Sequence, residues 1–345
     1  MPISVKSIVM VRRFEVRQSK RGENYAALSV NLGKPGGFAS RDAKIWQFDR
    51  FTHNGRPAPE EGALIEATYK VEEFRGMPQL NIEDYRPIEG EEREKAIEAF
   101  VPPTEIDTAF YRRRLEELMD QIEPGRVSGT VALEVFDRAD FRESFFTGPA
   151  AASRHQHYPG GLLEHTINVT SLALALADAY GAEGGLSVRG RRPPVDRTLL
   201  ISAGLLHDIG KLETYQLAPM SERTDADSFQ GHLSIGYARV HALVEPLKKN
   251  PPYAGAVDEL DKLLNCILSH HGLLEYGSPV MPCCLEAVFL SQADSADSRV
   301  SAAVHEGFEL LAQNPHARWL RHSHFPAGVF VADWPRESRK DDSTQ

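Results

Sequence analysis

The stretch Gly204–Lys211, read GLLHDIGK, constrains this chain more than any other. Leu199, Leu200, Ala203 and Leu206 predict a helix with a buried face. His207 falls on that face, seven, four and three residues after Leu200, Ala203 and Gly204, positions that a 3.6-residue period stacks together. Asp208 follows at once, and an ionised carboxylate beside such a helix is costly unless it is paired or bound to a metal. A fold that accepts this pair must bring partners to it.

Four further predicted helices offer them. In Leu162–Tyr180, His165 is followed at four, seven and eleven residues by Val169, Leu172 and Leu176. In Asp227–Leu247, His232 shares a face with Ile235, Gly236, Val240 and Leu243. Leu263, Cys266 and Ile267 line up behind His270 in Asp258–His271, and Ala287 and Leu290 sit behind Asp294 in Leu285–Val300. One histidine on an apolar face is ordinarily a satisfied core residue; five helices that each turn a His or Asp inward are not explained that way. Converging imidazoles and carboxylates relieve their shared desolvation by holding a divalent metal. The candidate ligands are His165, His207, Asp208, His232, His270, His271 and Asp294. Such a mixed set favours manganese, iron, cobalt or zinc over calcium. Lys211, one turn beyond His207, is placed to neutralise charge on a bound phosphate; the competing reading is a lysine that complements the helix dipole.

The first 88 residues read as strands. Ala26–Leu32, Ala43–Phe48, Leu64–Phe74 and Gln79–Ile88 are separated by glycine-containing turns, and Ile65, Ala67, Tyr69 and Val71 alternate with Glu66, Thr68, Lys70 and Glu72. Several short strands in so few residues predict a small barrel, and a strand–loop–strand pattern ending at Trp46 resembles an OB-fold that binds single-stranded nucleic acid. The chain carries a net charge of −10 over 345 residues, which excludes a generic polyanion binder. Residues 1–50 invert the balance: Lys6, Arg12, Arg13, Arg17, Lys20, Arg21, Lys34, Arg41, Lys44 and Arg50 stand against Glu15, Glu23, Asp42 and Asp49. A polyanion met locally is therefore expected, with Tyr25 and Trp46 as stacking platforms, Phe48, Tyr69 and Phe74 as further aromatic candidates, and Lys20, Arg21, Lys44 and Arg75 on phosphates. Aromatic residues in strands more often belong to a core.

Between these parts, residues 89–160 read as a helical connector. Pro102-Pro103 breaks it, Thr104 is a candidate cap for a helix through Phe110–Ile122, and a second helix is expected near Gly129–Arg138. His155 and His157 lie in a loop, where substrate contacts concentrate; the competing reading is that they are merely polar loop residues. Residues 161–312 form the predicted helical metal domain, and 313–345 a partly disordered tail. Cys266, Cys283 and Cys284 form no even framework, no apolar run nears the ~20 residues that cross a bilayer, and no apolar leader opens the chain, so a cytoplasmic protein without a membrane partner is expected. Oligomeric state is open, a homo-oligomer included.

The order His165, His207-Asp208, Asp294 resembles the HD superfamily of metal-dependent phosphohydrolases, and His232 with His270-His271 resembles its two-metal members. With the OB-like part in front, the segments HxHYPGGLLEHT, HDIGK, GHLSIG, SHHG and ADSADSR are similar to the YhaM-type 3′–5′ exoribonucleases. The resemblance implies a multidomain α and β chain: an N-terminal OB-like β-barrel, then an all-α HD-domain bundle. It implies one metal on His165, His207, Asp208 and Asp294, and a second, bridged by Asp208, on His232 and His270 with His271 as a neighbour. Manganese is the implied ion. The implied activity is 3′–5′ hydrolysis of single-stranded RNA, with DNA left open as a substrate, to nucleoside 5′-monophosphates by metal-activated water. Two other readings compete: a phosphohydrolase or phosphodiesterase of small nucleotides, and a nucleic-acid-binding protein with a structural metal. The segment Gly181–Pro194 and the C-terminal Arg318–Gln345 lie outside the resemblance.

Overall fold

The computed structural model describes residues 4–34, 37–74, 77–100, 106–151, 156–181, 185–217, 221–253, 255–322 and 325–335. The chain divides into two compact units whose main boundary falls between Glu105 and Ile106. Residues 89–160, expected as one connector, are shared between the units.

The first unit is built on five strands: β1 (Val5–Gln18), β2 (Asn24–Lys34), β3 (Gly37–Ile45), β4 (Leu64–Phe74) and β5 (Met77–Pro87). They close into a barrel in the order β1-β2-β3-β5-β4. All neighbours are antiparallel except β3 and β5, which pair in parallel from Asp42–Gln79 to Lys44–Asn81. This is the five-stranded OB-like topology. Alternate residues fill the barrel: Val9, Val11, Leu28, Val30, Ile45, Ile65, Ala67, Leu80 and Ile82. Phe48 and Tyr69 belong to that core rather than to an exposed platform. β1 escapes a periodicity search because its second half, past a register shift between Val11 and Arg13, is charged and exposed. Val9 and Val11 face the barrel, whereas Met10 turns to a second cluster with Leu64, Ile88 and Phe100. Helices α1 (Asp49–His53) and α2 (Gly90–Ile97) complete the unit.

The second unit is a helical bundle. Its elements are α3 (Thr108–Met119), α4 (Val127–Phe136), α5 (Ala139–Thr147), α6 (Gly161–Gly181), α7 (Arg197–Leu206), α8 (Lys211–Thr214), a ribbon of β6 (Tyr215–Leu217) and β7 (Ser221–Arg223), α9 (Asp225–Phe229), α10 (Gly231–Lys248), α11 (Val257–Ser269) and α12 (Leu285–Gln313). Helix α3 starts on Asp107, whose carboxylate accepts from the Phe110 N–H at 2.9 Å, while Thr104 lies outside the described residues. Helix α7 is apolar on every side and buried from Thr198 to Leu206, as a central helix must be. The Asp196 carboxylate caps it by accepting from Leu199 N at 3.0 Å.

Several expected boundaries move, each for a local reason. The segment expected as one helix over 227–247 breaks where Gly231 takes φ +73, the left-handed region that glycine enters without a Cβ penalty. On α6 the buried face runs through Leu162, His165, Thr166, Val169 and Ala173, while Leu172 and Leu176 are exposed. Residues 313–345 are not simply a tail: β8 (Trp319–His322) and β9 (Phe325–Phe330) form a hairpin, and Leu320 and Val331 pack with Leu311 of α12. Residues 336–345, expected to be disordered, lie outside the described residues. Among the described residues no helix is long and apolar enough to cross a membrane.

Candidate metal centre

Two of the predicted ligands sit where helices end. His207 is the C-terminal cap of α7 and His270 that of α11, so each imidazole projects from the last turn rather than from mid-helix. Residues 207–210 form a tight turn into α8, with Lys211 N donating to Asp208 O at 2.9 Å. Gly210 lets α10 press on this turn: a Cβ there would stand 2.1 Å from the His232 carbonyl oxygen and 2.7 Å from Gly236 N. The glycines of HDIGK and GHLSIG thus bring two ligand-bearing segments together. His165 comes from the first turns of α6 and Asp294 from α12.

The carboxylate of Asp208 stands at the middle. Its Oδ2 lies 3.1 Å from His165 Nε2, 3.2 Å from His207 Nε2 and 2.6 Å from Lys211 Nζ. Its Oδ1 faces the other way, 3.5 Å from both His232 Nε2 and His270 Nε2. His165 Nε2 is also 3.2 Å from Asp294 Oδ1, and His232 Nε2 is 3.2 Å from His271 Nε2. Two groups result, each with ligand atoms close enough to surround an ion: His165, His207 and Asp208, and His232, His270 and His271. All seven predicted ligands are therefore brought to one place.

The outward nitrogens explain how the rings are held. His207 Nδ1 donates to Gly204 O at 2.8 Å, His270 Nδ1 to Ile267 O at 2.7 Å and His271 Nδ1 to Tyr276 O at 2.9 Å. A carbonyl only accepts, so these contacts put the proton on Nδ1 and leave the Nε2 lone pair facing inward. Asp208 Oδ1 and His270 Nε2 are buried with no hydrogen-bond partner. Inward lone pairs, orphaned acceptors and mixed imidazole–carboxylate chemistry suit a divalent cation.

The electrostatics agree. Burial holds His207 below its ordinary pKa and His232 well below, and takes His271 to about 4 with help from the neighbouring His270, so these rings are neutral donors at pH 7. His165 differs: burial and the Lys211 charge push its pKa down, but Asp208, Asp294 and Asp297 outweigh them and raise it well above 6.5. For Asp208 burial is outweighed by Lys211 and His207, and its carboxyl stays well below the carboxylate range.

Asp297 is a member that sequence reasoning missed. His165 Nδ1 donates to Asp297 Oδ2 at 2.7 Å. The signal was present: Asp294 and Asp297 are three residues apart, one face of one helix. Glu164 was also passed over; it accepts from Tyr111 at 3.2 Å and from Tyr158.

The predicted nucleic-acid contacts are divided between the two units. On the barrel, the Tyr25 and Trp46 rings stand 5.0 Å apart, and Lys44 Nζ lies 5.2 Å from the Trp46 ring and 5.8 Å from that of Tyr25. Trp46 is 45% exposed. Arg75 and His155 lie outside the described residues, and so does the Phe74 side chain. His157 belongs to the helical unit, its ring 5.6 Å from that of His305.

Comparison with known proteins shows that residues 162–299 match the HD domain family model. The chain is 26% identical over 263 residues to the 3′-5′ exoribonuclease YhaM of Bacillus subtilis, covering 75% of each chain. It is 28% identical over 264 residues to that of Listeria monocytogenes serotype 4b, again covering 75% of each. Among solved structures, the mitochondrial single-stranded DNA binding protein Rim1 of S. cerevisiae matches 26% of this chain and 98% of its own at 11% identity, with a TM-score of 0.22, too low to carry weight.

Proposed function

We infer that this chain, a YhaM-like HD-domain protein, is a metal-dependent 3′–5′ exoribonuclease. The observation that carries the reading is Asp208, whose two buried oxygens are divided between two groups of histidines. A carboxylate shared in this way suits two ions: His165, His207, Asp208 and Asp294 would hold one, and Asp208, His232 and His270, with His271 beside them, the other. Manganese is the favoured ion, with iron, cobalt and zinc compatible with the same donors. A divalent cation here supplies Lewis acidity toward phosphoryl oxygens and lowers the pKa of a water.

The protein's own residues do the rest. The Nδ1 contacts fix the rings of His165, His207, His270 and His271 with the lone pair toward the centre. The Lys211 ammonium, resting on Asp208, adds positive charge where the phosphoryl group gains negative charge. Attack of water on the terminal phosphorus breaks the bond to the 3′-oxygen, and that oxygen leaves as a new 3′-hydroxyl with release of a nucleoside 5′-monophosphate. Tyr25, Trp46 and Lys44 present an aromatic and cationic surface on which unstacked bases of a single strand can lie; His157 is a candidate contact in the helical unit. Three cysteines without a disulfide agree with a cytoplasmic setting.

The test is a single-stranded RNA labelled at its 5′ end, incubated with Mn²⁺. The expected result is a descending ladder of labelled products that a chelator abolishes. Intact but retarded RNA, or hydrolysis of small nucleotides alone, would refute the exonuclease.

A further inference from the structure

We propose that Asp297 is a positioning residue for the metal centre, fixing the ring and tautomer of His165 while Gln156 holds Asp297 in place. The inference rests on the metal-dependent reading above. Asp297 is 5% exposed, on α12 one turn beyond Asp294. Its Oδ2 receives two hydrogen bonds, from His165 Nδ1 at 2.7 Å and from Gln156 Nε2 at 3.2 Å. With Nδ1 committed outward, His165 presents Nε2 to Asp208 and Asp294 at 3.1 and 3.2 Å.

The partner of His165 differs in kind from those of its neighbours. His207, His270 and His271 each donate to a neutral backbone carbonyl, whereas His165 donates to a carboxylate. A carboxylate behind an imidazole raises its basicity and so strengthens it as a donor to a cation. Gln156 is held with similar commitment. It is 3% exposed and takes φ +52, the left-handed region that is strained for a non-glycine residue. Its carbonyl accepts from Ala150 N at 2.9 Å and fills the space beside Gly161, where a Cβ would stand 2.1 Å from that oxygen. Its own Oε1 is buried without a partner. A strained, half-satisfied glutamine kept in the core has its amide turned to Asp297. Because Gln156 precedes His157, this contact also ties the loop before α6 to the metal ligand.

The test uses the full chain with Asp297→Asn, Asp297→Ala and Gln156→Ala. Mn²⁺ affinity is read from the electron paramagnetic resonance of the free ion, and folding from the thermal midpoint of the metal-free protein. Both Asp297 variants should bind Mn²⁺ about 10- to 100-fold more weakly, Gln156→Ala less so, and Asp297→Asn should keep its midpoint. In zinc-loaded protein with ¹⁵N-labelled histidine, a hydrogen-bonded His165 Nδ1 proton should be present and should vanish in Asp297→Ala. Unchanged Mn²⁺ affinity in both Asp297 variants overturns the proposal, as does persistence of that proton signal in Asp297→Ala. A wild-type chain that binds no Mn²⁺ would instead overturn the metal-dependent reading on which it rests.

Discussion

At the scale of single residues, the helical period marked which histidines turn inward, and the packed bundle brings those side chains to Asp208. Periodicity could not reveal what holds them. The ring-orienting carbonyls of Gly204, Ile267 and Tyr276 are backbone groups, invisible in residue identity. Asp297 was hidden for another reason: in ADSADSR the polar neighbours blur the stripe that made Asp294 stand out. Lys211 is the residue whose role geometry refines, since its ammonium sits 2.6 Å from Asp208 Oδ2 rather than free at a helix end. If it stabilises charge that develops on the phosphoryl group, Lys211→Ala should lower kcat on RNA roughly 10²-fold with little change in KM. A rise in KM at constant kcat would assign it to substrate binding alone.

At the scale of elements, the ligands depend on how closely segments approach. Gly210 faces the first turn of α10, and its neighbour across the gap is Gly236. Gly210→Ala should therefore destabilise the protein by about 1–3 kcal/mol through overpacking, seen as a lower urea midpoint at unchanged m-value, and weaken Mn²⁺ binding by displacing His232. A second joint is Arg126, which pairs with Asp196 at the start of α7 and with Glu259 of α11; Glu259 also accepts from Ser128 N at 3.0 Å. Arg126→Ala should cost about 1–3 kcal/mol by the same measurement, without abolishing metal binding. These joints were not legible in the sequence, because partners 70 and 133 residues apart carry no local signal. The same holds for β1, whose charged outer half conceals a strand, and for the hairpin β8–β9, which with the following Val331 packs a small apolar cluster around Leu320 against α12.

At the scale of the whole molecule, an acidic chain carries a basic first segment that folds as an OB-like barrel, and a helical unit that gathers the candidate metal ligands. The division of labour was readable because composition changes along the chain: alternating strand residues and lysines give way to helical stripes with histidine. If the barrel holds the strand through Tyr25, Trp46 and Lys44, Trp46→Ala in the full chain should weaken single-stranded RNA binding by about 1–3 kcal/mol, roughly 5- to 150-fold. Hydrolysis of a small phosphodiester by the same variant should be unaffected. Equal loss on both substrates would place Trp46 in the fold rather than in binding.

The central claim is that Asp208 joins two groups of histidines into one metal centre. The most direct measurement is the number of Mn²⁺ ions retained per chain at equilibrium dialysis, in the wild type and in Asp208→Ala. Two ions are expected in the wild type, with loss of both from a folded variant. Two ions retained by Asp208→Ala, or none bound by the wild type, would contradict it.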